Sequence, residues 1–317
     1  MYLYIMGRGY SGSTILDILL GNSSEVESVG ELLAGLSRAD REPCSCGATI
    51  PNCPFWREVR SRVEAEGIPW DEACRIGDPG ARALWRVWHA GRADPVMARR
   101  AQITQALARA ITTTAGKPHM LESSKTPAHG LLLLRHVPEA RLIHLVRDPR
   151  HVLQSHFWRV RTHTHFNSRR HRLAGRSVPL FLARMAASWT LVNLVCGVMA
   201  RAFPGRVVQV RFEDLCARPA SELDRVARAF GLDLADLSSK AAGQKPLVVG
   251  HNIGGNHLRQ ADTVRFEPGG GRTRPPLPRW LEAMVILLCG PLMWQYGYRL
   301  DGRPRPAGSR AVQSSPS

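Results

Sequence analysis

Apolar residues run unbroken through Tyr2-Leu3-Tyr4-Ile5-Met6 and stop at Gly7, the pattern of a strand buried on both faces. Further β-type segments lie at His119–Glu122, Arg141–Val146 and Arg206–Phe212, with helical periodicity between most of them. This alternation predicts an α/β fold, a P-loop-like parallel sheet flanked by crossover helices. Thr14–Leu20 is apolar apart from Asp17 and directly follows a glycine-rich turn, as the helix of a strand-loop-helix unit would. Asp94-Pro95 opens a helix striped by Ile103, Leu107, Ala110 and Ile111, and Thr126-Pro127 supplies an N-cap and first-turn proline for Leu131–Leu134. Leu223, Val226 and Phe230 stripe a helix that stops at Gly231.

Residues 38–118 exceed what a minimal sheet needs and read as a helical insertion or cap, so one domain is expected over 1–300. Arg159–Arg172 is rich in Arg and His without apolar period, a mobile basic loop. Residues 301–317 are dominated by Pro, Gly, Ser and Arg, which predicts a disordered tail. The longest apolar run, Ala283–Trp294, would span only about 18 Å as a helix against a hydrocarbon core of about 30 Å. It predicts a buried helix interrupted near Pro291, and no transmembrane segment. No charged-then-apolar leader precedes the first strand, so the cytoplasm is the expected location.

Gly7-Arg8-Gly9-Tyr10-Ser11-Gly12-Ser13-Thr14 lies between predicted strand and helix, the setting of a phosphate-cradling loop. Glycines permit the tight turn, successive N–H groups converge on an anion, and the helix adds its positive end. A nucleotide triphosphatase would carry Lys after the second glycine, where this chain has Ser13. A glycine-rich turn without a ligand is the plainer alternative. In Arg141–Arg150 a strand empties into a turn, placing Arg147 at a strand's carboxyl edge, where open α/β sheets bind ligands. Ser155 follows eight positions later on the next helix, so an Arg fork and a hydroxyl can meet one anion. Arg147 can equally cap or pair with Asp148. Lys125, in Ser124-Lys125-Thr126-Pro127, stands just past another strand end.

Together these segments resemble the sulfotransferases that take a sulfuryl group from 3'-phosphoadenosine-5'-phosphosulfate (PAPS), across most of residues 1–300. Ser11-Gly12-Ser13-Thr14 resembles the 5'-phosphosulfate loop, and Arg147 with Ser155 matches the 3'-phosphate motif. Ser124-Lys125-Thr126-Pro127 resembles the Lys-Thr-Pro motif of the branch with bacterial and tyrosylprotein members. Arg211-Phe212-Glu213-Asp214-Leu215 is similar to Tyr-Glu-Asp-Leu, and Gly254-Gly255-Asn256-His257-Leu258-Arg259 to a late Gly-Asn-x-x-Arg segment. Two positions depart from the family: Tyr10 stands where Lys or Arg is usual, with Arg8 the nearest cation, and Arg211 where Tyr is common. The resemblance implies that Arg8, Gly9, Tyr10, Ser11, Gly12, Ser13 and Thr14 hold the phosphosulfate. It assigns Arg147, Ser155 and Arg259 to the 3'-phosphate, with Arg211, Gly255 and Asn256 also at the donor. Lys125 would face the leaving oxygen and Glu31 would be the general base, with His144, His151 and His251 in reserve. A Glu31 paired with Arg8 or a helix N-terminus is its structural alternative. The acceptor would be a hydroxyl or amine of a small molecule, glycan, lipid or peptide.

The 317-residue chain carries 43 Lys plus Arg against 26 Asp plus Glu, a net charge of +17 that favours an anionic ligand or surface. A polyanionic donor accounts for it. Specific nucleic-acid binding is not expected, since no basic helix or aromatic platform accompanies the charge. A non-catalytic nucleic-acid or anionic-surface binding module and a P-loop kinase remain the competing classes. No metal is required for sulfuryl transfer carried out by cationic side chains. Seven cysteines, an odd count, argue against a disulfide framework. Cys44 and Cys46 are too close for a C-x-x-C zinc knuckle, and Cys53 makes three thiolates; a tetrahedral site would need a His or Cys74 from elsewhere. Packed or surface thiols, without metal, are the expectation.

Overall fold

The computed structural model describes residues 1–90, 94–161, 178–267 and 276–300. The tail expected at 301–317 and the basic loop beyond residue 161 lie outside the described residues. Five strands, β1 (Tyr2–Gly7), β2 (Val26–Ser28), β3 (His119–Lys125), β4 (Ala140–Val146) and β5 (Val207–Arg211), form a sheet in the order β2-β3-β1-β4-β5. β1 pairs in parallel with β3 and β4, and β2 in parallel with β3. The strand nearest the N-terminus is therefore central, which is why all six of its residues are buried.

Alternation along β1 sorts its side chains onto two faces. Leu3 and Ile5 join a cluster with Leu16, Leu19 and Leu20 of α1 (Ser13–Gly21) and with Leu223, Val226 and Phe230. Tyr2 and Tyr4 face the opposite layer, where Tyr4 meets His129 of α7 (Pro127–His136) edge-on at 5.4 Å. Arg206 fastens β5, donating to the carbonyls of Leu134 (2.7 Å), Val137 (2.6 Å) and Ala140 (3.3 Å).

Between α2 (Leu32–Leu36) and β3 the described chain is helical: α3 (Pro54–Ala65), α4 (Trp70–Cys74), α5 (Gly80–Ala90) and α6 (Pro95–Ala115). Asp94 caps α6 as expected, its carboxylate accepting from Val96 N (3.0 Å) and Met97 N (3.3 Å). Thr126 occupies the N-cap of α7 but makes no side-chain cap bond; its carbonyl instead accepts from Tyr4 Oη at 2.9 Å.

By compactness the chain divides into Met1–Leu145 with Cys196–Gly271, and Val146–Val195 with Arg272–Ser317. The first unit holds the phosphate-loop segment, the helices after α2 and nearly all of the sheet. The second begins at the last residue of β4 and includes α8 (Pro149–Arg161) and the late helix Arg279–Gln295. That helix corrects the expected interruption, since it continues through Pro291. The carbonyl that loses its partner to the proline belongs to Leu287, which is 80% exposed, so water can satisfy it. The helix Val178–Ala202 is long and apolar enough to cross a membrane by length and composition, with 22% of its most apolar window buried.

Replacing Ile5, fully buried in β1, by Ala should lower the unfolding free energy by roughly 2–5 kcal/mol. Leu287→Ala should stay within about 0.5 kcal/mol. Denaturant titrations giving the two variants equal losses would contradict this division between core and surface.

Candidate functional site

β1 ends at Gly7, and the chain turns through Arg8–Gly12 before α1 begins at Ser13. Gly12 is the N-cap of α1 with φ 91°, and a Cβ there would overlap the ring of Phe212. Only glycine suits both demands. No side chain caps α1, so its first-turn N–H groups, which lack intrahelical acceptors, have no side-chain competitor for an anion. Ser11 is 1% exposed, and its Oγ has no hydrogen-bond partner among the described residues. A buried orphan hydroxyl beside an uncapped helix N-terminus is the donor set that a phosphate-type anion satisfies. Ser13 is buried and Thr14 half-buried, while nothing lies within 4 Å of a Cβ built on Gly9.

Tyr10 (φ 68°) and Lys125 (φ 72°) are the only non-glycine residues with positive φ among those described. Each such conformation costs on the order of 1–3 kcal/mol and persists only where its surroundings enforce it. Both fall within the expected anion machinery. For Lys125 the pairing supplies a cause: the β1–β3 register shifts between Tyr4 and Met6, so that Lys125 stands opposite Met6. This brings the Lys to the same sheet edge as the loop.

Glu31 reaches that edge from β2. Its backbone N–H donates to Ile253 O at 2.8 Å, and its Oε1 receives Lys125 Nζ in a short ion pair. The two side chains are 22% and 18% exposed. Glu31 precedes α2 without capping it; Leu33 N donates to Ser124 Oγ instead, at 3.2 Å. Its carboxylate partner is therefore Lys125, in place of the helix N-terminus or Arg8 anticipated for a structural Glu.

The segment 251–259 walls this pair. Gly255 (φ 85°) lies so close that an added Cβ would sit 3.0 Å from Glu31 Oε1. Asn256 Oδ1 accepts from Leu258 N at 3.3 Å and caps a short 3-10 helix. Arg259 is buried, donating to Glu42 (2.6 Å) and to Pro43 O (2.6 Å). Its guanidinium forms a buried ion pair with Glu42, and these two bonds use two of its donors. Arg211 ends β5 with its Nη1 3.6 Å from Asp214, and the next residue, Phe212, packs on the loop at Gly12.

In the second unit, Arg147 follows β4 and its carbonyl accepts from Trp189 Nε1 at 3.0 Å. Asp148 is engaged by Arg150, through backbone N (2.8 Å), Nε (3.0 Å) and Nη2 (2.6 Å). Ser155 is half-buried on α8 and donates to His151 O at 3.1 Å. Among the reserve bases, His144 is fully buried within β4 and His151 is exposed on α8. His251 has its Nδ1 3.4 Å from Cys53 Sγ, and burial holds its imidazole below the ordinary value.

Two buried polar groups escaped the sequence reading. Asp17 accepts from Ser28 Oγ (2.5 Å) and Asn252 Nδ2 (3.1 Å), joining α1, β2 and the 251–259 segment. Glu122 accepts from Tyr2 Oη (2.8 Å) and Ser124 Oγ (3.0 Å), with His129 Nε2 2.8 Å away. For Asp17 the signal was a lone acid inside an apolar run; Glu122, followed by Ser123-Ser124-Lys125, carried no such signal. A cleft of about 650 Å³ opens between α2, α3 and α4, lined by Leu36, Trp56, Arg57, Arg60 and Trp70; its lining includes neither Glu31 nor Lys125.

A family model described as "Sulfotransferase family" matches residues 3–236. Among solved structures, the sulfotransferase STF9 from Mycobacterium avium is similar at TM-score 0.51 and 16% identity, over 95% of this chain and 78% of that one. The sulfotransferase domain of the Synechococcus PCC 7002 olefin synthase aligns at TM-score 0.47 and 18% identity, over 92% and 94% of the two chains. No match was found among curated proteins.

Burial raises Asp17 to about 7, against the hydrogen bonds from Ser28 and Ser123 that lower it. An unfolded Asp loses its proton near pH 4, so the folded state binds the extra proton between there and about 7. The stability this adds is fully present below the unfolded value and is lost as pH rises through the folded one. Wild-type melting temperature should therefore fall across this window relative to Asp17→Asn, which keeps the side chain neutral. Parallel curves for the two proteins would show that Asp17 is ionised throughout.

Proposed function

We propose that this chain, which belongs to the sulfotransferase family, is a PAPS-dependent enzyme that moves a sulfuryl group to a hydroxyl or amine acceptor. The observation that carries this reading is the meeting of Lys125 and Glu31 at the strand ends, on the sheet edge where the uncapped loop lies. A fixed anion site, a cation and a carboxylate are what an in-line transfer needs from a protein. The buried, unpartnered Ser11 hydroxyl supports the fit of an anionic donor.

PAPS supplies the activated sulfuryl group. The loop amides of Gly9–Thr14 and the hydroxyls of Ser11, Ser13 and Thr14 hold its phosphosulfate end, with Arg8 as the nearest cation in place of the family's usual Lys or Arg. Arg147 and Ser155, at the motif's spacing, are assigned the 3'-phosphate. Glu31 accepts the proton that the acceptor loses as its oxygen or nitrogen bonds to sulfur. Lys125 lies against the oxygen that departs, where a mobile ammonium follows the growing negative charge. Their ion pair gives each group a second role: Lys125 orients the Glu31 carboxylate until an anion competes for the ammonium. The acceptor's class, whether small molecule, glycan, lipid or peptide, is set outside these residues.

Glu31→Gln should retain donor binding and lose about 10²–10⁴-fold in turnover, the range for removing a general base. Lys125→Ala should lower kcat more than donor affinity, since its contact strengthens as charge develops. Arg147→Ala should weaken adenosine 3',5'-bisphosphate binding by ~2–3 kcal/mol, roughly 30- to 150-fold in Kd. Near-normal turnover of Glu31→Gln with a verified acceptor would remove the carboxylate from the reaction, and unchanged binding by Arg147→Ala would remove that Arg from the donor site.

A further inference from the structure

Three thiols and one imidazole converge beside the proposed active site without any part in the transfer. Cys44, Cys46 and Cys53 lie in the stretch just after α2, and His251 opens the segment that walls Glu31. Their ligand atoms all lie within 4.8 Å of one another. Cys46 Sγ is 3.6 Å from Cys53 Sγ, which is 3.8 Å from Cys44 Sγ. His251 Nδ1 is 3.4 Å from Cys53 Sγ and 3.6 Å from Cys44 Sγ.

A tetrahedral zinc ion with Zn–S of about 2.3 Å and Zn–N of about 2.0–2.1 Å requires S···S near 3.8 Å and S···N of about 3.6 Å. The four separations given above lie within about 0.2 Å of those values, although the ligands come from segments about 200 positions apart. We propose that Cys44, Cys46, Cys53 and His251 form a structural zinc(II) site that fastens the 251–259 segment to the chain following α2.

Several features build the cage independently of the distances. Gly47 N donates to Cys44 O at 3.0 Å, closing the turn that brings Cys44 and Cys46 together. The His251 ring stacks on Phe55 at 4.7 Å with 2° between planes, and Trp56 Nε1 donates to His251 O at 3.1 Å. Ser45 donates from both N (3.0 Å) and Oγ (2.9 Å) to Asn252 O, so the two segments already meet next to the ligands. Soft thiolates with one imidazole in a four-coordinate protein cage select zinc, and four protein ligands leave no position for catalysis. All seven cysteines are free thiols, as ligation requires. Binding would displace any thiol protons to solvent, with no change of oxidation state.

The consequence reaches the reaction centre through the backbone. Asn252 bonds Asp17, Ile253 O receives Glu31 N, and Gly255 abuts the Glu31 carboxylate. A zinc ion at His251 would thus hold the wall that positions Glu31, and its existence does not depend on which group Glu31 deprotonates.

The test is elemental analysis of the full chain, expressed with zinc and freed of loosely bound metal by gel filtration. About one zinc per chain is expected, and cobalt(II) exchange should give thiolate charge-transfer and tetrahedral d–d bands. Cys53→Ser and His251→Ala should lose the stoichiometric metal, while Cys74→Ser should keep it. Should the cluster variants fail to fold, a mercurial titration of the wild type replaces them, with one zinc released as the thiols are consumed. Folded protein that takes up no zinc, zinc unaffected by Cys53→Ser, zinc not released by the mercurial, stoichiometric iron, or a Cys46–Cys53 disulfide in the mass spectrum would each overturn the proposal.

Discussion

The contact on which the site turns is the ion pair between Lys125 and Glu31. Two oppositely charged side chains at the ends of neighbouring strands, each about one-fifth exposed, lose hydration that only their mutual attraction restores. The local fold serves that juxtaposition. The register shift in β1–β3 carries Lys125 to the edge, and the bridge from Gly30 to Ile253 fixes Glu31 against it. Lys125 adopts a left-handed backbone to take part, a strain that its pairing opposite Met6 of β1 enforces. Beside them the uncapped start of α1 contributes donors without a mobile counter-charge.

Much of this was legible in the sequence because it is written locally. The apolar run at the N-terminus is a central strand, and the glycine-rich turn after it is followed by α1 within one residue of expectation. Asp94-Pro95 opens α6 as expected, since capping chemistry depends on adjacent residues alone. Glu31 and Lys125 were named from motif resemblance, and the structure brings them into contact.

What stayed hidden was tertiary. The ion pair of Arg259 with Glu42, more than two hundred positions earlier, leaves no trace in the motif spacing. The cysteines lacked a fourth partner until the fold delivered His251, and spacing between Cys44 and Cys46 carries no trace of that imidazole. Pro291 signalled an interruption, but its helix absorbs the missing bond on an exposed face. Asp17 and Glu122 were passed over for the same reason. A buried carboxylate is tolerated only where partners from other elements surround it, and those partners are distant in sequence.

On the proposed function, the loop and its cations recognise an adenosine 3',5'-bisphosphate framework in preference to a nucleoside triphosphate with magnesium. Ser13 stands where a triphosphatase would place its Lys, and the Arg147–Ser155 pair is the feature that would prefer a 3'-phosphate. Calorimetric titration of the full chain with adenosine 3',5'-bisphosphate, set beside ATP with Mg²⁺, measures this directly. Saturable one-to-one binding of the bisphosphate and much weaker binding of ATP with magnesium are expected. Tighter binding of magnesium ATP, or no heat from the bisphosphate, would contradict that preference.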